Sequence, residues 1–236
     1  MARPGWLKYL GEWRAGGEFL EGLRTVPADN LPSGNGRILI LIPGLWGGDN
    51  SLMVLRRNLA HIGYDARTWG LGLNNRCGQV LADEFTDKLK KTYERRGKPI
   101  ALIGHSRGGF VAREAARRLP NIVDQVITMG TPIAGQSMGD AGLMVRGLLM
   151  VSRRLYATRP GCMSQGCGCD YVSNIGAPLP SAVRVCSLWS AEDGVVAPEK
   201  CVLPDEPAIE VKATHVGMIA KPEVFAIVAR LLAGEL

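Results

Sequence analysis

Gly104-His105-Ser106-Arg107-Gly108-Gly109 directly follows the apolar run Pro99-Ile100-Ala101-Leu102-Ile103 and leads into a helical pattern from Gly109 to Leu119. A serine on a tight strand-to-helix turn is driven into a strained backbone conformation. Glycines two residues to either side leave room for the turn and for an incoming substrate. The hydroxyl then stands free at the carboxyl end of a sheet. It also lies at the positive end of the following helix, where developing negative charge is favoured. Gly-x-Ser-x-Gly by itself is common; between a buried strand and a helix it reads as a nucleophile.

A nucleophilic hydroxyl needs a base, and the chain has three histidines. His61 falls in the first helical segment, far from the sheet's carboxyl edge. His105 belongs to the turn itself, where its side chain is expected to point away from Ser106 and support the turn. His215 lies between the strand-like Ile209–Ala213 and the last helical segment, on a loop from which an imidazole reaches Ser106; the alternative is an ordinary surface histidine. A buried carboxylate must then fix the imidazole tautomer and stabilise its charged form. Ser190-Ala191-Glu192-Asp193-Gly194-Val195 directly follows a strand. Asp193 is preferred to Glu192 because a short acid before Gly194 suits a tight turn into the site, whereas Glu192 suits solvent. Asp170 and Asp205, in irregular segments, stand behind both. Acyl transfer would also need donors for an oxyanion. The backbone N–H of Arg107 is one, and that of Leu45, in Pro43-Gly44-Leu45-Trp46-Gly47-Gly48, is the other.

The elements that must carry these residues follow a regular order. Arg37–Ile42 is a continuous apolar run ended by Pro43-Gly44, the pattern of a strand buried on both faces. Asp49 and Ser51 offer caps to a helix through Leu52, Leu55, Leu59 and Ile62, closed by Gly63. A strand around Tyr64–Trp69, a helix over Val80–Arg96 with Leu81, Phe85, Leu89 and Tyr93 at four-residue steps, and strands at Val123–Met129 and Val183–Trp189 come next. A helix over Pro222–Leu232 ends the chain. Alternation of strand and helix predicts an α/β fold, a doubly wound, mostly parallel sheet covered on both faces. Residues 133–180 break the rhythm and read as an insertion over the sheet's edge.

At 236 residues and 46% hydrophobic, the chain supports one sizeable core, taken as residues 31–236 behind a helical extension over 1–30. The formal charge is +6, but Lys and Arg are scattered rather than clustered, so nucleic acid is not an expected partner. No run approaches the roughly 18 apolar residues needed to span a bilayer, and Met1–Trp6 lacks the pattern of a signal peptide. A cytoplasmic chain is expected. Trp6, Leu10 and Trp13 share a helical face that suits peripheral contact with a membrane. A cover over the domain's own core edge is preferred, because Gly16 and Gly17 interrupt a long interfacial helix. Of six cysteines, Cys162, Cys167 and Cys169 cluster in a Gly-rich loop while Cys77, Cys186 and Cys201 stand apart. The absent export signal argues for reduced thiols and the tight cluster for a cross-link. Cys201 is expected to pair with Cys162, Cys167 or Cys169, Cys186 to be an inert core thiol, and Cys77 to lie alone in a connecting loop. A zinc site from Cys162, Cys167, Cys169 and Cys201 fits poorly with the usual C-x2-C pairs, so no metal is expected.

Ile42-Pro43-Gly44-Leu45, the His-Ser-x-Gly-Gly turn, Ser190–Val196 and Thr214-His215-Val216-Gly217-Met218 together resemble the lipase-like branch of the α/β-hydrolase superfamily, among small bacterial esterases and lipases. The resemblance runs from about Gly36 to the C-terminus. It implies the α/β-hydrolase fold, a triad of Ser106, Asp193 and His215, an oxyanion hole at Leu45 and Arg107, and no cofactor. The branch is similar also to deacylases that act on lipid anchors. Two departures stand out: Pro43 occupies a position where many lipases carry a histidine, and Arg107 replaces a small or apolar residue. Arg107 is expected on the surface, the alternative being contact with an anionic group of the substrate. The insertion carries Met138, Leu143, Met144, Leu148, Leu149 and Met150, a soft apolar set suited to a lid that, with Trp46, binds an acyl chain. The expected substrate is therefore a small-molecule or lipid ester with an apolar acyl group. A thioesterase or acyltransferase would use the same triad, and an inactive scaffold would keep only the fold.

Overall fold

The computed structural model describes residues 12–23, 30–135, 143–156 and 169–236. Six strands, β1 (Ile38–Ile42), β2 (Asp65–Thr68), β3 (Ile100–His105), β4 (Val123–Met129), β5 (Arg184–Trp189) and β6 (Ala208–Glu210), pair in the order β2-β1-β3-β4-β5-β6. Every pairing is parallel. The helices are α1 (Ala15–Gly22), α2 (Met53–His61), α3 (Gly78–Arg96), α4 (Arg107–Arg118), α5 (Leu143–Tyr156), α6 (Asp170–Ser173) and α7 (Pro222–Ala233).

β1 and residues Ile100–Ile103 of β3 are apolar without interruption because both faces are covered. Ile38, Ile40, Ile42, Ile100 and Leu102 pack with Phe85 and Leu89 of α3 and Val111 and Ala115 of α4. Leu39, Leu41, Ala101 and Ile103 pack on the other side with Leu55 and Leu59 of α2 and Phe225 and Val228 of α7. At the edge, β2 is half-buried throughout, and its Asp65 binds Arg67 at 2.8 Å and Arg96 at 2.6 Å. Such charges blunt an exposed strand edge.

The strand order also decides where a site can form. From β1 the chain adds β2 on one side, then crosses to the other side of β1 for β3 and continues outward. The reversal leaves a crevice beyond the carboxyl ends of β1 and β3, where open α/β sheets bind ligands. Residues 43–48 leave β1 there, and Ser106 leaves β3 there.

Several local expectations are corrected. Neither Asp49 nor Ser51 caps α2: a short 3₁₀ turn over Asp49–Leu52 precedes it, Asp49 Oδ1 accepts the Gly70 N–H at 3.0 Å, and Ser51 Oγ donates back to Gly48 O at 2.7 Å. The last strand stops at Glu210 rather than Ala213, because its one neighbour among the described residues, β5, ends at Trp189. Trp13 does not cover the core. It is 80% exposed, and α1 runs through Gly16 and Gly17 with Glu18 and Gly22 as its buried residues; Trp6 and Leu10 lie outside the described residues. Cys201, expected to be cross-linked, is a free thiol, as is Cys186, while Cys162 and Cys167 lie outside the described residues. Cys201 is buried with its thiol toward Ala197 O, and burial pushes its pKa well above the ordinary thiol range. Cys186 sits in the core, its pKa pushed up to about 11 by burial.

Candidate active site

Ser106 occupies the residue between β3 and α4 with φ +50° and ψ −125°, outside the regions a serine normally adopts. The surroundings over-determine this conformation. Ser106 N donates to Met129 O at 2.7 Å, Gly109 N donates to Ser106 O at 3.0 Å, and Thr131 Oγ1 donates to the same carbonyl at 2.8 Å. A Cβ on Gly104 would run into Cα of Gly109, so strand and helix approach this closely only without side chains.

Asp193 and His215 come together on the loops after β5 and β6. His215 Nδ1 donates to Asp193 Oδ2 at 2.7 Å, and both side chains are buried, at 6% and 1% exposure. The other carboxylate oxygen, Oδ1, accepts the N–H groups of Val195 and Val196, each at 2.7 Å. All of this acid's charge is therefore directed at named donors. Burial alone would push the His215 imidazole down. The Asp193 carboxylate, through its charge and its hydrogen bond, outweighs burial and holds the imidazole above the usual histidine range. Glu192 instead pairs with Arg14 at 3.2 Å on a partly exposed surface, and Asp170 and Asp205 are exposed.

His105 does more than support the turn. Its Nε2 donates to the carbonyl of His215 at 2.9 Å, and the two rings lie 4.8 Å apart. Burial, with His215 nearby, pushes its pKa down to about 3, so it stays neutral and serves as a fixed donor. His61 is exposed at the end of α2.

Gly130 separates Met129 from Thr131, both of which hold Ser106, and sits against the other half of the site. Its φ is +57°, and a Cβ there would stand 3.0 Å from His215 Nδ1 and 3.1 Å from Asp193 Oδ2. Gly130→Ala is expected to cost about 1–2 kcal/mol of backbone strain. By displacing the imidazole it should also lower kcat/KM by about tenfold or more. A thermal melt and steady-state kinetics check this; unchanged kcat/KM would contradict the described packing.

On the β1 side, Trp46 has a left-handed φ of +59° and donates its N–H to Asn74 O at 3.0 Å, and Gly47 N donates to Gly44 O at 2.9 Å. The Leu45 N–H between Gly44 and Trp46 has no acceptor among the described residues. Asn74, fully buried, ties this loop to the serine turn: its Nδ2 donates to Pro43 O at 2.7 Å, and its Oδ1 and carbonyl accept from the Arg107 guanidinium. Arg107 also donates to Arg76 O at 2.6 Å. Its side chain is thus half-buried bracing rather than a surface group.

A family model described as a PGAP1-like alpha/beta domain matches residues 81–145. Among solved structures, the mature form of a Bacillus licheniformis lipase superposes with TM-score 0.60 at 18% identity, covering 86% of this chain and 94% of that one; the chain covers 51% of that lipase's propeptide form. A Paleococcus ferrophilus monoacylglycerol lipase gives TM-score 0.55 at 17% identity over 87% and 97% of the two chains. An alpha/beta hydrolase enzyme from the sediment metagenome of a Moroccan lagoon gives 0.55 at 20% identity over 86% and 93%. This chain has the α/β-hydrolase fold. Its lipase and esterase neighbours carry that fold, which agrees with the resemblance in the motifs.

On this fold, α5 belongs to the expected insertion between β4 and β5. Trp46 is fastened to it: the indole N–H donates to Ser152 Oγ at 2.9 Å and lies 3.3 Å from Leu148 O. Leu148 and Leu149 are partly buried, whereas Met150 is 70% exposed and faces away from the fold, contrary to expectation. Leu143 and Met144 open the helix with side chains outside the described set, as is Met138.

Proposed function

We propose that the chain is a serine hydrolase of carboxylic esters with apolar acyl groups. The observation that carries this reading is the strained Ser106 at the sheet's switch point beside a buried, hydrogen-bonded Asp193–His215 pair. Donation of the Nδ1 proton to Asp193 leaves His215 Nε2 with its lone pair. That nitrogen takes the Ser106 proton as Oγ adds to the ester carbonyl, and Asp193 stabilises the imidazolium. The N–H groups of Leu45 and Arg107 receive the oxyanion. Collapse expels the alcohol, which takes the proton back from Nε2. Water, activated by the same nitrogen, then releases the acid from Ser106. Leu148 and Leu149, held near the oxyanion loop through Trp46, support an apolar acyl group.

The test is covalent labelling with a fluorophosphonate and location of the adduct, followed by esters of graded acyl length with and without added alcohol. A single adduct at Ser106 and release of free acid are expected. Transfer of the acyl group to the alcohol in preference to water would make the protein an acyltransferase, and absence of labelling would overturn the reading.

A further inference from the structure

We infer that Glu12, in the turn before α1, is a positioning residue that holds the loops carrying Asp193 and His215 in register. This rests on the ester-hydrolase reading for its catalytic consequence and on the geometry alone for its structural one. Glu12 Oε1 accepts the Gly194 N–H at 3.0 Å and the His215 N–H at 2.9 Å, and Oε2 lies 3.4 Å from Val216 N. Gly194 follows the acid, and His215 is the base, so one carboxylate oxygen joins the two loops. Charge-assisted acceptance of this kind is stronger than a neutral hydrogen bond.

The second carboxylate of the same segment repeats the arrangement one residue upstream of the histidine. Glu18, 6% exposed, accepts Thr214 N at 3.2 Å and Thr214 Oγ1 at 2.5 Å, with Lys221 Nζ at 3.8 Å. Apolar packing is a poor explanation for why the segment lies here: Trp13 and Leu20 are 80% and 66% exposed, and Glu12–Arg14 bury no residue. Two carboxylates of the segment are set on main-chain donors of the loops that carry Asp193 and His215. Removing Glu12 leaves Gly194 and His215 N–H groups to find other partners, and the loops can settle only by shifting the acid–imidazole pair.

Glu12 also carries charge toward the imidazole. The groups that face His215 are Asp193 on the acid loop, neutral His105 on the serine turn and Glu12 on the N-terminal segment, with the Arg14–Glu192 and Glu18–Lys221 pairs flanking them. The Glu12 charge raises the His215 pKa, so its loss lowers it.

The experiment compares full-length wild type, Glu12→Ala, Glu12→Gln and, as a control on the exposed side of α1, Glu21→Gln. Each is followed by NMR titration of the His215 ring and by the pH profile of kcat/KM on a p-nitrophenyl ester. Glu12→Ala is expected to lower kcat by about 10- to 100-fold with KM within about twofold. Glu12→Gln keeps an acceptor oxygen, so it should lose less rate while moving the His215 titration and the acid limb of the profile to lower pH. Glu21→Gln should match wild type. Wild-type kcat and His215 titration in both Glu12 variants would overturn the inference, as would equal effects from Glu21→Gln. A wild type that hydrolyses no ester while its His215 titration still moves on substitution of Glu12 would sustain the positioning role and overturn the ester reading.

Discussion

Ser106→Ala is expected to lower ester turnover by at least about four orders of magnitude while the protein melts within a few degrees of wild type. In the proposed mechanism the hydroxyl supplies the attacking oxygen, and nothing else on the turn can replace it. The fold should tolerate the change because the turn is held through main-chain atoms: Ser106 N to Met129 O, and Ser106 O from Gly109 N and Thr131 Oγ1. Alanine keeps all three bonds and bears the same left-handed φ of +50° as serine. His215→Ala should cost a similar factor, and the double variant should be scarcely slower than either single one, since nucleophile and base act as a unit. Single-turnover kinetics with circular-dichroism melts measure both quantities. Near wild-type turnover in Ser106→Ala would end the serine-hydrolase reading.

Asp193→Asn is expected to lower kcat by about 10⁴-fold with the geometry preserved. The hydrogen bonds specify how. Oδ1 is committed to the N–H groups of Val195 and Val196 at 2.7 Å each, so the asparagine oxygen stays there and its NH₂ takes the place of Oδ2. That donor then faces His215 Nδ1, which must give up its proton to accept it, and the proton moves to Nε2. The imidazole becomes a donor where a base is needed. Glu192→Gln should change kcat by less than about twofold, because the ion pair it removes, with Arg14, is partly exposed and such pairs contribute little. If Glu192→Gln crippled the protein and Asp193→Asn did not, the acid would be misassigned while the nucleophile and base remained.

Much of the frame was legible in the sequence because it is written in local patterns. An unbroken Ile-Leu-Ile-Leu-Ile run has one economical solution, a strand covered on both faces, and β1 meets it with every residue buried. A serine flanked by glycines between such a strand and a helix pattern names a turn, and a count of three histidines leaves few bases to weigh. The tertiary structure decided the residues whose partners are main-chain atoms far away in the chain. Glu12 meets His215 across 203 positions and His105 meets the His215 carbonyl across 110, and Asn74 holds the loop after β1 through Pro43 O. A backbone N–H or carbonyl is the same at every residue, so its demand for a partner leaves no mark in the sequence; only the fold shows where the demand arises. The same cause explains the N-terminal segment. Its aromatic spacing suggested that Trp13 faces the core, but the loops that carry Asp193 and His215 present donors there, and carboxylates satisfy them while the indole is left in solvent.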